Sequence, residues 1–249
     1  MLINDRNIEH INSSDVGVVI CHGYSSTRQS MGYLTNKILA SQNHSVIEIT
    51  LPGHDNTYSE MKDTKMSDWI EYVEYTILRL KAIGCKKVFF VGLSMGGSLG
   101  LLASINYKLS GVIAINHAYY YTDWRAYLFY WIPFLHWFIK ENKSTGQDIK
   151  DPAAHEVFYN PCWTKSLREL TRVMYTLRNN IKKIKCPVLI IKSKDDHVIK
   201  YESGKDTVDA LVCSDKTYVE VINSYHIATL DYDKDIIADS VISFINNRK

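Results

Sequence analysis

Short β-branched and aliphatic runs recur along the chain at residues 16–21 (VGVVIC), 45–50 (SVIEIT), 87–91 (KVFFV), 111–116 (GVIAIN), 188–192 (VLIIK) and 217–222 (TYVEVI). Several are apolar at successive positions, the pattern of strands covered on both faces of a parallel sheet. Between them, apolar residues fall at helical spacing. Ser67 is placed to cap a helix carrying Trp69, Val73, Thr76, Ile77 and Leu80 on one face and stopping at Gly84. The segment after Ser94 has Leu99, Leu102, Ala103 and Ile105, and the last segment has Ile236, Ile237, Val241, Phe244 and Ile245. This alternation predicts an α/β fold with a doubly wound, mostly parallel sheet.

The alternation fails once, between Asn116 and about residue 180. That stretch holds Trp124, Trp131 and Trp137 and a cluster of tyrosines within 119–130. It reads as a mostly helical, unusually apolar insertion before the strand at 188–192. A lid over the carboxyl edge of the sheet is the favoured reading, and an extra helical layer of the core is the plainer one. With no internal repeat, low-complexity tract or linker, the pattern predicts a single domain over 1–249 with a cap insertion at about 118–178.

Composition narrows the function classes. The 249 residues are 46% hydrophobic, and 29 Lys and Arg against 27 Asp and Glu leave a formal net charge of +2. That balance sets up no global field for nucleic acid or an anionic membrane. Cys21, Cys85, Cys162, Cys186 and Cys213 are odd in number and contain no C-x-x-C pair, which argues against a disulfide framework or a zinc site and fits a reducing compartment. The N-terminal residues have no signal-peptide core. The longest apolar run, 127–139, is broken by Pro133 and His136 and is too short to span a bilayer. A soluble, cytoplasmic protein is expected.

Gly92-Leu93-Ser94-Met95-Gly96 is a G-x-S-x-G. Chance produces such a match in about one chain in twelve of this length, so context must carry it. KVFFV runs directly into the motif and a helical pattern follows it. A nucleophile elbow needs that setting, because the strand must end in a strained turn that lifts the serine above the sheet. The alternative is a glycine-rich strand–helix turn with an inert serine. A phosphate loop fails, since Ser98 stands where lysine is required.

A serine nucleophile needs a base. Of nine histidines, His226 follows the last strand and precedes the last helix, at the sheet edge that carries Ser94, and it completes the chain order serine, acid, histidine. His22 follows the first strand and is expected to serve the backbone there. His10, His44, His54, His136 and His155 are read as surface or packing residues. The acid should follow VLIIK, where Asp195 and Asp196 are both available to orient the imidazole. Spacing does not separate them. A metal cluster of Asp195, Asp196 and His197 is the rival, though three consecutive residues rarely converge on one ion. The oxyanion requires two N–H donors. Met95, after the serine, supplies one, and Tyr24, in the loop His22-Gly23-Tyr24, is the candidate for the other.

These segments together resemble the α/β-hydrolases, and within them the bacterial monoacylglycerol lipases and related carboxylesterases. The resemblance runs through VGVVICHGYSST, LPGHDNTYSEM, DWIEYVE, VGLSMGG, GVIAIN, QDIKDP, KCPVLIIKSKDDHVI and SYHIATLDYD. It implies Ser94 as nucleophile, His226 as base and Asp196 as acid, since the family's aspartate directly precedes the HVI-like segment. It implies Tyr24 and Met95 as oxyanion donors and Glu156 as a contact for glycerol hydroxyls. Tyr24 stands where relatives usually have phenylalanine, and Asp55 where many have glycine.

The activity this implies is cleavage of monoacylglycerols to fatty acid and glycerol through an acyl-enzyme, with no cofactor and no metal. Tyr127, Leu128, Trp131, Phe134 and Phe138 would shelter the acyl chain, and the same surface could touch lipid transiently. The partner expected is a small ester or lipid, not nucleic acid. A general carboxylesterase on short or aromatic esters is the alternative. Peroxidase-like or acyl-transfer chemistry would use the same residues. A non-catalytic ligand-binding member of the fold is the remote alternative, since no triad position is lost.

Overall fold

The computed structural model describes residues 7–54, 60–132, 134–142, 147–160 and 162–249. In chain order the elements are β1 (Ile8–His10), β2 (Val16–Cys21), α1 (Gln29–Ser41), β3 (Ser45–Ile49), α2 (Met66–Ala82), β4 (Lys87–Leu93), α3 (Met95–Asn106) and β5 (Gly111–Ile115). There follow α4 (Leu128–Trp131), α5 (Leu135–Phe138), β6 (Glu141–Asn142), β7 (Cys162–Trp163), α6 (Thr164–Asn180), β8 (Val188–Ser193), α7 (Glu202–Ala210), β9 (Lys216–Val221) and α8 (Lys234–Asn246). Seven strands form one sheet in the order β1-β3-β2-β4-β5-β8-β9, parallel except for β1. The fold is that of an α/β-hydrolase.

The double-sided apolar character of the strands has a direct cause. Side chains alternate between two cores. Val19, Ile47, Phe90 and Ile190 face a core shared with α2, α3 and α6, while Val18, Val46, Phe89 and Leu189 face one shared with α1 and α8. All six strands expected from the sequence are present, with ends displaced by two residues at most. The short antiparallel strand β1 was not expected: it is three residues long with one apolar residue, paired with β3 and tied to α2 through the Glu9–Arg79 ion pair at 3.3 Å.

Helix ends differ from expectation where side chains compete for the backbone. α2 begins at Met66, not after Ser67, because Asp68 in the first turn accepts a hydrogen bond from the Lys65 N–H at 2.9 Å. It ends at Ala82, two residues before Gly84, whose φ of +103° suits a residue without Cβ. On α8, Ile236 faces solvent and Ile237, Val241, Phe244 and Ile245 face the core.

The insertion before β8 has two parts. α6 is a core layer: Val173, Met174 and Leu177 are fully buried, and the helix packs on α2 and α3. Residues 124–132 and 134–139, a 3-10 turn and the one-turn helices α4 and α5, stand over the carboxyl edge with Trp124, Trp131, Trp137 and Phe138 exposed. Among the described residues no helix is long and apolar enough to cross a membrane.

Candidate active site

β4 delivers its last residue, Leu93, straight into a reversal at Ser94, where φ is +53° and ψ −119° before α3 begins at Met95. A non-glycine residue held there costs on the order of 1–3 kcal/mol. Hydrogen bonds fix it: the Ser94 N–H donates to the Ile115 carbonyl at 2.8 Å, and the Ser94 carbonyl accepts from the Ala118 N–H at 3.1 Å. The flanking glycines make room. A Cβ on Gly96 would lie 2.5 Å from the Cys21 carbonyl oxygen, and one on Gly92 would lie 2.3 Å from the Gly96 carbonyl carbon. Side chains at either position would push α3 off the sheet.

The loops after β8 and β9 come to the same edge. His226 Nε2 lies 3.0 Å from Ser94 Oγ, and His226 Nδ1 lies 2.9 Å from Asp196 Oδ2. All three residues are buried, with Ser94 7% exposed and His226 5%. Asp196 Oδ1 accepts from the N–H groups of Val198 and Ile199, each at 2.9 Å. Burial pushes the Asp196 carboxyl up, but His226, Lys192 and these hydrogen bonds outweigh it and hold it well below the usual carboxylate range. Asp195 turns outward and lies 4.0 Å from Lys150. His197 turns to Asp148, so Asp195, Asp196 and His197 diverge. Among the described residues no group of three or more His, Cys, Asp or Glu side chains is arranged to hold a metal.

The loop after β2 abuts the serine: a Cβ on Gly23 would lie 3.2 Å from Ser94 Cβ. That brings the loop carrying Tyr24 against Ser94, while Met95 follows Ser94 as the first residue of α3. The Tyr24 hydroxyl reaches across to α6, 2.8 Å from Ser166 Oγ, so tyrosine in place of phenylalanine adds an anchor to α6. His22 serves the backbone as expected, its Nε2 accepting from the Leu51 N–H at 3.2 Å.

Three further residues hold this arrangement and were not picked out from the sequence. Asn116, with φ +43°, accepts from the Ser193 N–H at 2.7 Å and donates to the His226 carbonyl at 2.8 Å, tying the ends of β5 and β8 to the histidine loop. Asp148 Oδ2 accepts from the His226 and His197 N–H groups, each at 3.1 Å. His54 is fully buried and its Nε2 accepts from the Ser25 N–H at 3.2 Å, which fixes the loop of Tyr24. An Asn directly after a strand was the one available signal; the other two bonds join distant segments and leave no local pattern. Asp55, noted as a departure from relatives, lies outside the described residues.

A cavity of about 490 Å³ opens over Ser94 and His226. Its polar lining includes Asp123, Arg125, Asp148, His197 and Glu156, and Glu156 is buried with its Oε1 accepting from Ser26 Oγ at 2.6 Å. Burial raises the Glu156 carboxyl above its ordinary range, against the opposing effects of Ser26 and His226. The apolar wall includes Leu128, Phe129, Leu135, Ile139, Leu167 and Leu170. Tyr127, Trp131, Phe134 and Phe138, expected in this wall, stand outside it. The Tyr127 hydroxyl accepts from the Tyr121 N–H at 3.1 Å, and Trp131, Phe134 and Phe138 are exposed. One-turn helices turn only some residues of a run inward, and here those are Leu128, Phe129 and Leu135.

Fold and constellation together define an α/β-hydrolase with a serine–histidine–aspartate cluster at the carboxyl edge of its sheet. Residues 12–233 match the sequence profile of the serine aminopeptidase S33 family, and the chain belongs to that family. It is 32% identical to the thermostable monoacylglycerol lipase of Bacillus sp. (strain H-257), over 92% of this chain and 90% of that protein. It is 21% identical to a carboxylesterase of Bacillus subtilis (strain 168), over 93% and 92%. A solved structure from work on two metagenome-derived lipolytic enzymes superposes with a TM-score of 0.90 at 28% identity, covering 97% of both chains. The monoacylglycerol lipase of Paleococcus ferrophilus shares the fold, with a TM-score of 0.81 at 16% identity over 98% of both chains.

Proposed function

We propose that this hydrolase cleaves carboxylic esters, monoacylglycerols in particular, through an acyl-enzyme on Ser94. The observation that carries the reading is the lining of the cavity over the Ser94–His226 pair, which combines a buried carboxylate, Glu156, with a largely hydrocarbon wall. A monoacylglycerol has matching chemistry, with a diol head, an ester and an alkyl chain. The relative named a monoacylglycerol lipase supports the same choice.

In the first half-reaction His226 Nε2 takes the Ser94 proton as Oγ attacks the ester carbonyl. Asp196 holds the ring through Nδ1 and stabilises the imidazolium. The Met95 and Tyr24 N–H groups stabilise the oxyanion. His226 returns the proton to the departing glycerol oxygen, then activates the water that releases the fatty acid. Glu156 accepts hydrogen bonds from the glycerol hydroxyls, and the acyl chain lies against Leu128, Phe129, Leu167 and Leu170. The exposed aromatic side chains of 124–139 touch lipid transiently, as an interfacial contact and not a span.

The test is fatty-acid release from 1-monoacylglycerols of C8 to C18, with a diacylglycerol, a short acetate ester and an aminoacyl anilide alongside. Each buried methylene contributes about 0.8 kcal/mol, so kcat/KM should climb roughly fourfold per CH₂ until the apolar wall is covered. Turnover of the acetate ester alone would leave a short-chain carboxylesterase. Turnover of the anilide alone would move the chemistry to amides.

A further inference from the structure

Lys192 is an anomaly in β8. The strand is apolar on both faces, yet this lysine is fully buried within it. Its stem packs directly under α7, where a Cβ on Gly204 would lie 2.9 Å from Lys192 Cβ. Its Nζ donates to the Ile199 carbonyl at 3.0 Å and to Asp196 Oδ2 in a close ion pair. Oδ2 is the same oxygen that meets His226 Nδ1.

The division of labour on the carboxylate is informative. Oδ1 is already satisfied by two backbone N–H groups, which suffice to fix and ionise an aspartate. A hydrocarbon side chain at 192 would fill the same space without a buried charge. What the lysine adds acts on Oδ2, the oxygen facing the imidazole. We infer that Lys192 is a positioning residue for the proposed reaction, holding Asp196 and setting how strongly its carboxylate favours the protonated form of His226. This rests on the Ser94–His226–Asp196 reading.

Other charges around Lys192 do not replace this contact. Glu202 on α7 and Asp148 in the insertion act on it through space. Glu220, opposite on β9, is exposed and bonded to Tyr201. His117, after β5, is fully buried, and burial keeps it neutral. A cation one carboxylate oxygen away from the imidazole opposes imidazolium formation. Removing it should therefore move the acid limb of the kcat/KM profile to higher pH, by about two units at an effective dielectric near 20.

The experiment is the pH profile of kcat/KM on a soluble ester for wild type, Lys192→Gln, Lys192→Met and Lys192→Arg, with folding followed by circular dichroism. Both neutral variants should move the acid limb up by about two units, and Lys192→Arg should leave it within about 0.3 unit. Lys192→Met should also lose about tenfold in plateau kcat with KM within about twofold, because Oδ2 loses a donor that Gln keeps. If Lys192→Met does not fold, Lys192→Gln decides alone. Coincident acid limbs in folded neutral variants would overturn the inference. Ser94→Ala, assayed in parallel, separates the two claims: an active Ser94→Ala sinks the underlying reading, whereas a dead one with coincident limbs sinks only the role of Lys192.

Discussion

Glu156 offers a sharp test of substrate choice, because the structure places a buried carboxylate in the lining of the cavity with one oxygen on Ser26. A carboxylate accepts about four hydrogen bonds, so capacity remains for the glycerol hydroxyls. Hydrogen bonds to a charged group contribute about 1.5–3 kcal/mol each. Losing one such bond should lower kcat/KM by about 10- to 150-fold. Glu156→Ala is therefore expected to lose that much on a 1-monoacylglycerol while staying within about threefold of wild type on the methyl ester of the same acid, which has no hydroxyls to bind. The assay is fatty-acid release from both esters by one enzyme preparation. Equal losses on the two esters would mean that Glu156 supports the Ser26 loop and does not read the head group. No loss on either would remove it from the site.

Other expectations follow from single contacts. His117 is buried with Nε2 2.8 Å from Thr207 Oγ1, and its pKa is pushed down to about 3, mainly by burial. The unfolded chain takes up this proton near pH 6.5 while the folded one does not. Stability should thus fall by roughly 4 kcal/mol between pH 6.5 and 3 on its account. His117→Gln should flatten urea-unfolding stability against pH by that amount, and parallel curves would refute it. Gly96→Ala drives a Cβ to 2.5 Å from the Cys21 carbonyl oxygen and should cost more than about 3 kcal/mol; a loss under about 1 kcal/mol by urea midpoint would contradict the close approach. Replacing Trp131, Phe134, Trp137 and Phe138 by serine should raise KM on micellar monoacylglycerol by about tenfold and leave a soluble short ester unchanged. An equal effect on both substrates would place these residues in the cavity instead.

The sheet was legible because parallel strands buried on both faces leave continuous aliphatic runs. Ser94 and His226 were legible because each lies just beyond a strand that ends at one edge, whereas spacing left Asp195 and Asp196 equivalent and only the family resemblance singled out Asp196. What was not legible was held by bonds between distant segments. Asp148 reaches the histidine loop from 78 residues away, and His54 reaches Ser25 from 29. Neither leaves a periodic trace. The inward face of 124–139 was misread at Tyr127, Trp131, Phe134 and Phe138 for a related reason: one-turn helices have no period long enough to reveal which side they bury. Lys192 sat in plain view at the end of VLIIK, but a lysine at a strand end ordinarily reads as the first exposed residue, and only the structure turns it inward onto Asp196.

The central claim is that His226 activates Ser94 as a nucleophile. Mass measurement of the folded protein after exposure to a serine-directed phosphonate tests it most directly. One adduct on the peptide containing Ser94, lost in Ser94→Ala and slowed by orders of magnitude in His226→Ala, is the predicted result. A folded wild-type protein that stays unmodified, or an adduct that persists in Ser94→Ala, would contradict it.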